Sequence, residues 1–258
     1  MIKNARLFRT ASLLLVICVT AGCNSHSDDA AVGETVSATE LVAQAGALYK
    51  ERDDPTKLRD SLQLLRRARV ADGNNYEAAW KLAKYNYFMG DNTRDETLRD
   101  KAFKDGITAS KGAIKMQPDK PDGYFWLGAN LGGQAEANVL DGAANLGEIR
   151  QNMQKVIEIQ PDYEGAMAYV VLAQTELETR GMMGGSAEKA VGYLEQALKL
   201  DKRNSFTYLY LAEAYLYLNR KPEAKKMLDA MRSAPLNPDY LPERRAAEED
   251  AKKLEAKL

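Results

Sequence analysis

The residues able to do chemistry are few, and they lie at one end of the chain. The only histidine is His26, and the two cysteines, Cys18 and Cys23, fall in the first tenth of the 258 residues. The body therefore lacks the material for a histidine general base, a Cys–His nucleophile pair or the usual zinc ligand sets. Two positioned carboxylates would suffice for glycoside hydrolysis, but Asp95, Glu96, Asp100 and Glu195 occupy positions expected on solvated helix faces. Gly132-Gly133 and Gly184-Gly185 belong to no phosphate-cradling glycine pattern. Their expected role is to accept the positive φ of a tight helix exit. No catalytic residue, metal or cofactor is expected, which leaves binding as the function and the chain as a non-enzyme.

Charge narrows what is bound. Lysine and arginine number 36 against 37 acidic residues. A nucleic-acid ligand would call for concentrated basic residues that this balance does not supply. The hydrophobic content of 45% and charged content of 28% are those of a folded domain.

The first residues read as an address. Lys3, Arg6 and Arg9 precede the apolar run from Ala11 to Val19, which is too short to span a bilayer as a helix. The run ends in Thr20-Ala21-Gly22-Cys23, which resembles a bacterial lipobox with Thr20 where leucine is usual. On that resemblance residues 1–22 are a lipoprotein signal peptide, and Cys23 is lipidated. Residues 23–37, beginning Cys23-Asn24-Ser25-His26, form a polar tether. The implied location is the bacterial cell envelope. The chain would be anchored by lipid at the periplasmic face of the outer membrane, since Asn24 and not Asp follows the cysteine.

From about Thr39 onward apolar residues recur at helical spacing, so the expected class is all-α. Four helix endings share one design: Ala68 before Gly73-Asn74, Ala113-Ile114 before Pro118, Val156-Ile157 before Pro161, and Ala197-Leu198 before Asn204. The openings agree, as in Tyr208-x2-Leu211-Ala212-x2-Tyr215 and Tyr124-x2-Leu127-Gly128. Ala83, Gly128, Ala173 and Ala212 are small where paired helix backbones must approach. This pattern resembles the tetratricopeptide (TPR) repeat and implies a solenoid of about five helical hairpins over residues 38–241.

The spacing from small residue to helix ending is 19 in the last repeat, Ala212 to Met231, but 30, 28 and 24 in the middle three. Insertions are expected near Asp91–Lys101, Gly132–Gly147 and Arg180–Ser186, forming loops that build a rim on one side. Residues 242–258 are charged on most faces. Ala247, Ala251, Leu254 and Leu258 form a narrow apolar stripe, as a C-terminal capping helix requires.

The candidate groove comprises Trp80, Lys84, Tyr87, Phe88, Phe125, Ala129, Leu209, Glu213 and Tyr217, at repeat positions that face the concave side. Its aromatic character favours an apolar ligand or a hydrophobic segment of a protein partner, with packing between repeats as the alternative. Met182 and Met183, between glycines, are expected to fold over the groove or touch a partner, with burial against a neighbouring helix as the alternative.

The stretch Tyr163-x-Gly165, Gly181-Met182-Met183-Gly184-Gly185-Ser186, Tyr193-Leu194 and Asn204, with Trp126-Leu127-Gly128-Ala129, is similar to the T-component lipoproteins of tripartite ATP-independent periplasmic (TRAP) transporters. That resemblance implies a periplasmic protein partner and a cavity for a small hydrophobic ligand. The first reading is a protein-interaction scaffold held at the membrane, and the T-component-like carrier is its alternative. The third is the lipoprotein of the outer-membrane barrel-assembly machine, whose Tyr-Pro-Phe-type segment is absent here.

Overall fold

The computed structural model describes residues 36–137, 139–181 and 183–258, with backbone alone for 136, 137 and 139–143. Cys23 and the expected leader and tether up to Thr35 lie outside the described residues, as does Met182. Eleven α-helices follow one another among the described residues: α1 Ala38–Tyr49, α2 Pro55–Ala71, α3 Tyr76–Asn92, α4 Glu96–Met116, α5 Pro121–Ala137, α6 Val139–Ile159, α7 Tyr163–Glu178, α8 Ala187–Leu200, α9 Ser205–Tyr217, α10 Lys221–Ser233 and α11 Leu241–Glu255. A 3-10 turn, Pro238–Tyr240, precedes the last.

Side-chain caps mark where six of the helices begin. Ser37 and Glu40 form a reciprocal capping box at α1, and Asp54 caps α2 just before Pro55. Asn75, Asp95, Ser186 and Asn204 accept backbone N–H groups at the starts of α3, α4, α8 and α9. Short turns between such caps leave consecutive helices antiparallel, and five hairpins result.

The hairpins stack because every odd helix also meets the next odd helix, α1 on α3, α3 on α5, α5 on α7 and α7 on α9. Ala83, Ala173 and Ala212 are wholly buried at these crossings. At Gly128 a Cβ would run into the Met153 side chain. α11 lies on α9 through Ala247, Ala251 and Leu254. The architecture is the all-α solenoid of helical hairpins read from the sequence.

The expected rim of three loops is not what forms. The extra residues of the second and third repeats lengthen the helices: α4 and α6 each run 21 residues, and only Thr93-Arg94-Asp95 separates α3 from α4. Extending a helix pairs one more backbone group per residue, whereas a long loop leaves those groups to find partners one by one. Gly132 and Gly133 accordingly lie inside α5 and are not a helix exit. Their smallness has another use, since a Cβ on Gly133 or Gly90 would collide with the Phe103 ring, which α4 wedges between α3 and α5. A loop does form at Arg180–Ser186, where Gly181 and Gly184 have φ of 80° and 79°.

Candidate functional site

The inner faces of α3, α5 and α7 surround a chamber of about 740 Å³, a volume within the range of small-molecule sites. Helical spacing sets its walls. Lys84, Tyr87, Phe88 and Asp91 lie on one face of α3, Phe125 and Ala129 on α5, and Met167, Val171, Thr175 and Glu178 on α7. The wall is mostly aromatic and aliphatic. Phe125 stands edge-on to Trp126 with ring centroids 4.8 Å apart, and Tyr87 lies 5.9 Å from Trp126.

One ion pair crosses the wall. Lys84 Nζ donates to Glu164 Oε1 at 2.7 Å, with both side chains largely buried. The ammonium also lies 5.1 Å from the Trp126 ring centroid and 5.6 Å from that of Tyr240. Glu164 reaches Lys84 through an unusual backbone: Glu164, Gly165 and Ala166 all have positive φ, at 48°, 69° and 61°. Each non-glycine residue in this conformation costs about 1–2 kcal/mol. Asn204 offsets part of that cost by donating to the Gly165 carbonyl at 2.8 Å.

Beneath the chamber, Asp122 clasps two repeats together. It accepts the Tyr76 hydroxyl at 2.7 Å and the Tyr163 hydroxyl at 2.9 Å. Burial raises both phenols well above their ordinary range, and the Asp122 carboxylate raises them further. Each phenol thus serves as the donor to the shared carboxylate.

The remaining wall comes from the far end of the chain. Leu236, Asn237, Tyr240, Glu243, Arg245 and Ala246 line the chamber. Arg52, between α1 and α2, holds this segment by donating to the Glu243 carboxylate at 2.7 Å and to the Asp239 carbonyl at 2.8 Å. Its guanidinium also covers the rings of Tyr49 and Phe88. Arg245 pairs with Asp53 beside it. The first repeat and the C-terminal segment are thereby tied together.

Of the residues read from sequence as groove, Lys84, Tyr87, Phe88, Phe125 and Ala129 come together in the chamber wall, and Met183 stands at its edge, half exposed. The other four are elsewhere. Trp80 packs against the core shared by α3 and α5, and Leu209 is buried in the C-terminal core. Glu213 accepts the Tyr217 hydroxyl at 3.2 Å, and Arg180 stacks on the Tyr217 ring. The chamber is walled chiefly by α3, α5 and α7, and only Ser205 and Phe206 at the start of α9 reach it, so Leu209, Glu213 and Tyr217 fall outside. Glu164, Asp91, Glu178 and the C-terminal segment join the site without a place in the repeat pattern. The Glu164-Gly165 dipeptide carries a usable signal, because a glycine just after a helix-breaking Pro161 marks a bend that can turn its neighbour inward.

With this geometry in view, comparison with known proteins places the chain. Residues 41–258 match the family model described as regulator of microtubule dynamics protein 1-3. The chain belongs to that family. Mouse regulator of microtubule dynamics protein 3 is 24% identical over a 215-residue alignment that covers 78% of this chain and 45% of the mouse protein. The chain thus spans less than half the length of that relative.

Among solved structures, a thermophilic TPR protein of Thermus thermophilus superposes with a TM-score of 0.60 at 19% identity. The match covers 82% of this chain and 98% of that one and establishes the TPR-like fold. YrrB, described as a TPR protein with an unusual peptide-binding site, gives a TM-score of 0.46 at 13% identity, over 86% and 94% of the two chains.

Proposed function

We propose that this chain is a non-catalytic binding protein whose chamber takes a small, largely apolar ligand. One observation carries the reading: the concave side, where a TPR array would receive a partner's segment, is crossed by the C-terminal segment and reduced to a lined chamber of about 740 Å³. Aromatic and aliphatic walls favour apolar surface, at about 25 cal/mol per Å² buried, and the Lys84–Glu164 pair offers a polar anchor. A second reading, a protein-interaction scaffold, is what a TPR-like fold suggests in general. It is favoured by the half-exposed Met183, Leu236 and Leu241 near the chamber edge, which are costly to leave in water.

In the first reading the chain is a lipid-anchored envelope carrier of the TRAP T-component kind, held at the periplasmic face of the outer membrane through Cys23. Support for the anchor is the charged-then-apolar leader ending in Thr20-Ala21-Gly22-Cys23. Labelled palmitate incorporated by the wild type and equally by Cys23→Ser would remove it. The effect on microtubules stated in the mouse relative's name is not part of this reading.

Native mass spectrometry of the full chain is the test of the chamber. A co-purified small molecule is expected, together with saturable uptake of the neutral fluorophore N-phenyl-1-naphthylamine. Ala129→Trp, which puts a ring into the chamber, should reduce uptake at least about tenfold while leaving helicity intact. Equal uptake by this variant would locate binding elsewhere.

A further inference from the structure

The chamber's last wall is built differently from the rest. α3, α5 and α7 are fixed by buried apolar contacts, but no residue of the Pro238–Tyr240 turn is buried, and Leu236 is 60% exposed. Apolar anchoring returns only on either side. Met231 is wholly buried at the end of α10, and Ala247 and Ala251 are buried under α11. Arg244 marks the further boundary. It is buried, donates to Glu248 at 2.6 Å and to Ser205 Oγ at 3.3 Å, and so ties the start of α11 to α9.

Between these anchors the segment is held to the opposite end of the solenoid by charge, through Arg52–Glu243, Arg245–Asp53 and the bond from Arg52 to the Asp239 carbonyl. Lys84 beneath Tyr240 adds a cation–π contact. Arg245–Asp53 is exposed on both sides and holds weakly, whereas Arg52–Glu243, with Arg52 buried, is the firmer latch; neither brings the apolar packing of a helix face. Arg52 is fixed in place under the Tyr49 and Phe88 rings, whereas its partner Glu243 sits on the weakly anchored side.

The geometry points to the segment from Ala234 to Glu243 as a hinged lid, latched by Arg52–Glu243 with the Arg245–Asp53 pair at its edge, that must open for a ligand to enter or leave the chamber. The inference rests on the chamber reading above, because a lid matters only if something passes it. It turns the ties that close the ring into a kinetic gate, with the body of the solenoid as the fixed jamb.

The test uses the full chain and N-phenyl-1-naphthylamine in stopped flow, comparing wild type with Glu243→Gln/Arg245→Ala. Neither substituted residue is part of the apolar core, and thermal melting by circular dichroism checks that the fold is kept. The lid requires association and dissociation rates to rise together, by about tenfold. Raising salt to 1 M should speed the wild type in the same way and the variant little, since screening there acts over about 3 Å.

Probe bound with both rates unmoved, or with only dissociation faster, would overturn the lid and leave the chamber reading intact, the latch residues then being plain wall. No saturable uptake by either protein would sink the chamber reading instead. The lid is then judged by hydrogen exchange: amides of residues 235–243 should exchange about tenfold faster in the variant with those of α9 unchanged, and equal exchange refutes it.

Discussion

Lys84 meets three parts of the molecule at one point: α3 on which it sits, Glu164 at the bent entry to α7, and Tyr240 of the C-terminal segment. The other charges around the chamber are less well compensated. Asp91 and Glu178 keep open surface, but it is surface of the chamber, with protein on most sides. Burial raises the Asp91 carboxyl above the usual range, Glu243 adds to the rise and Arg99 opposes it. Burial also raises Glu178, with the Gln174 hydrogen bond opposing and Glu213 adding. The sign follows. A carboxyl raised on folding carries a penalty above its folded value, and that penalty is relieved as pH falls toward it. An apolar ligand displaces chamber water and penalises the charged forms further, so its binding takes up protons. Affinity for N-phenyl-1-naphthylamine should strengthen as pH drops from about 7 to about 5, and the dependence should flatten in Asp91→Asn/Glu178→Gln. A pH slope that survives in that variant would show that other groups titrate.

At the scale of helices, the packing of α3, α4 and α5 depends on residues too small to attract notice. Phe103 occupies the gap between Gly90 and Gly133, and Gly106 lies against the Asn130 side chain, which donates to the Ala83 carbonyl at 3.2 Å and the Trp126 carbonyl at 2.7 Å. Gly133→Ala gains helix propensity of about 1 kcal/mol but must displace the Phe103 ring, an overpacking cost of about 1–3 kcal/mol. A net loss of stability by urea unfolding is the expected outcome, and a more stable variant would show that Phe103 has room to turn. Gly132, beside it, faces open space, so Gly132→Ala should stabilise and serves as the control.

This is also where sequence reading reaches its limit. Ala83, Ala173 and Ala212 are legible because they recur in phase with the large residues around them. Lys84, Phe88, Phe125 and Ala129 follow from the repeat face alone. Gly132-Gly133 misleads because a glycine pair that breaks a helix and one that admits a ring from a neighbouring helix look alike along the chain. Glu243 and Arg52, far apart in sequence, share no period that could pair them.

For the whole molecule, the ties between distant repeats change how it should unfold. In an ordinary solenoid each repeat contacts only its neighbours, so ends fray and partly folded states accumulate. Here Lys84–Glu164 joins α3 to α7, Asp122 joins the Tyr76 and Tyr163 hydroxyls, and Arg52–Glu243 joins the first repeat to the last helix. A ring closed in this way loses every tie when any repeat opens, so its parts should unfold together. The two tryptophans, Trp80 and Trp126, both report on the second and third repeats, whereas circular dichroism at 222 nm averages over all the helices. In wild type the urea transitions followed by the two signals should coincide. In Glu243→Gln/Arg245→Ala the fifth repeat and α11 are released from the first, and the dichroism transition should begin at lower urea than the fluorescence transition. Coincident transitions in that variant would mean that α9 and its neighbours are coupled through the stack alone, and that the ring adds nothing to cooperativity.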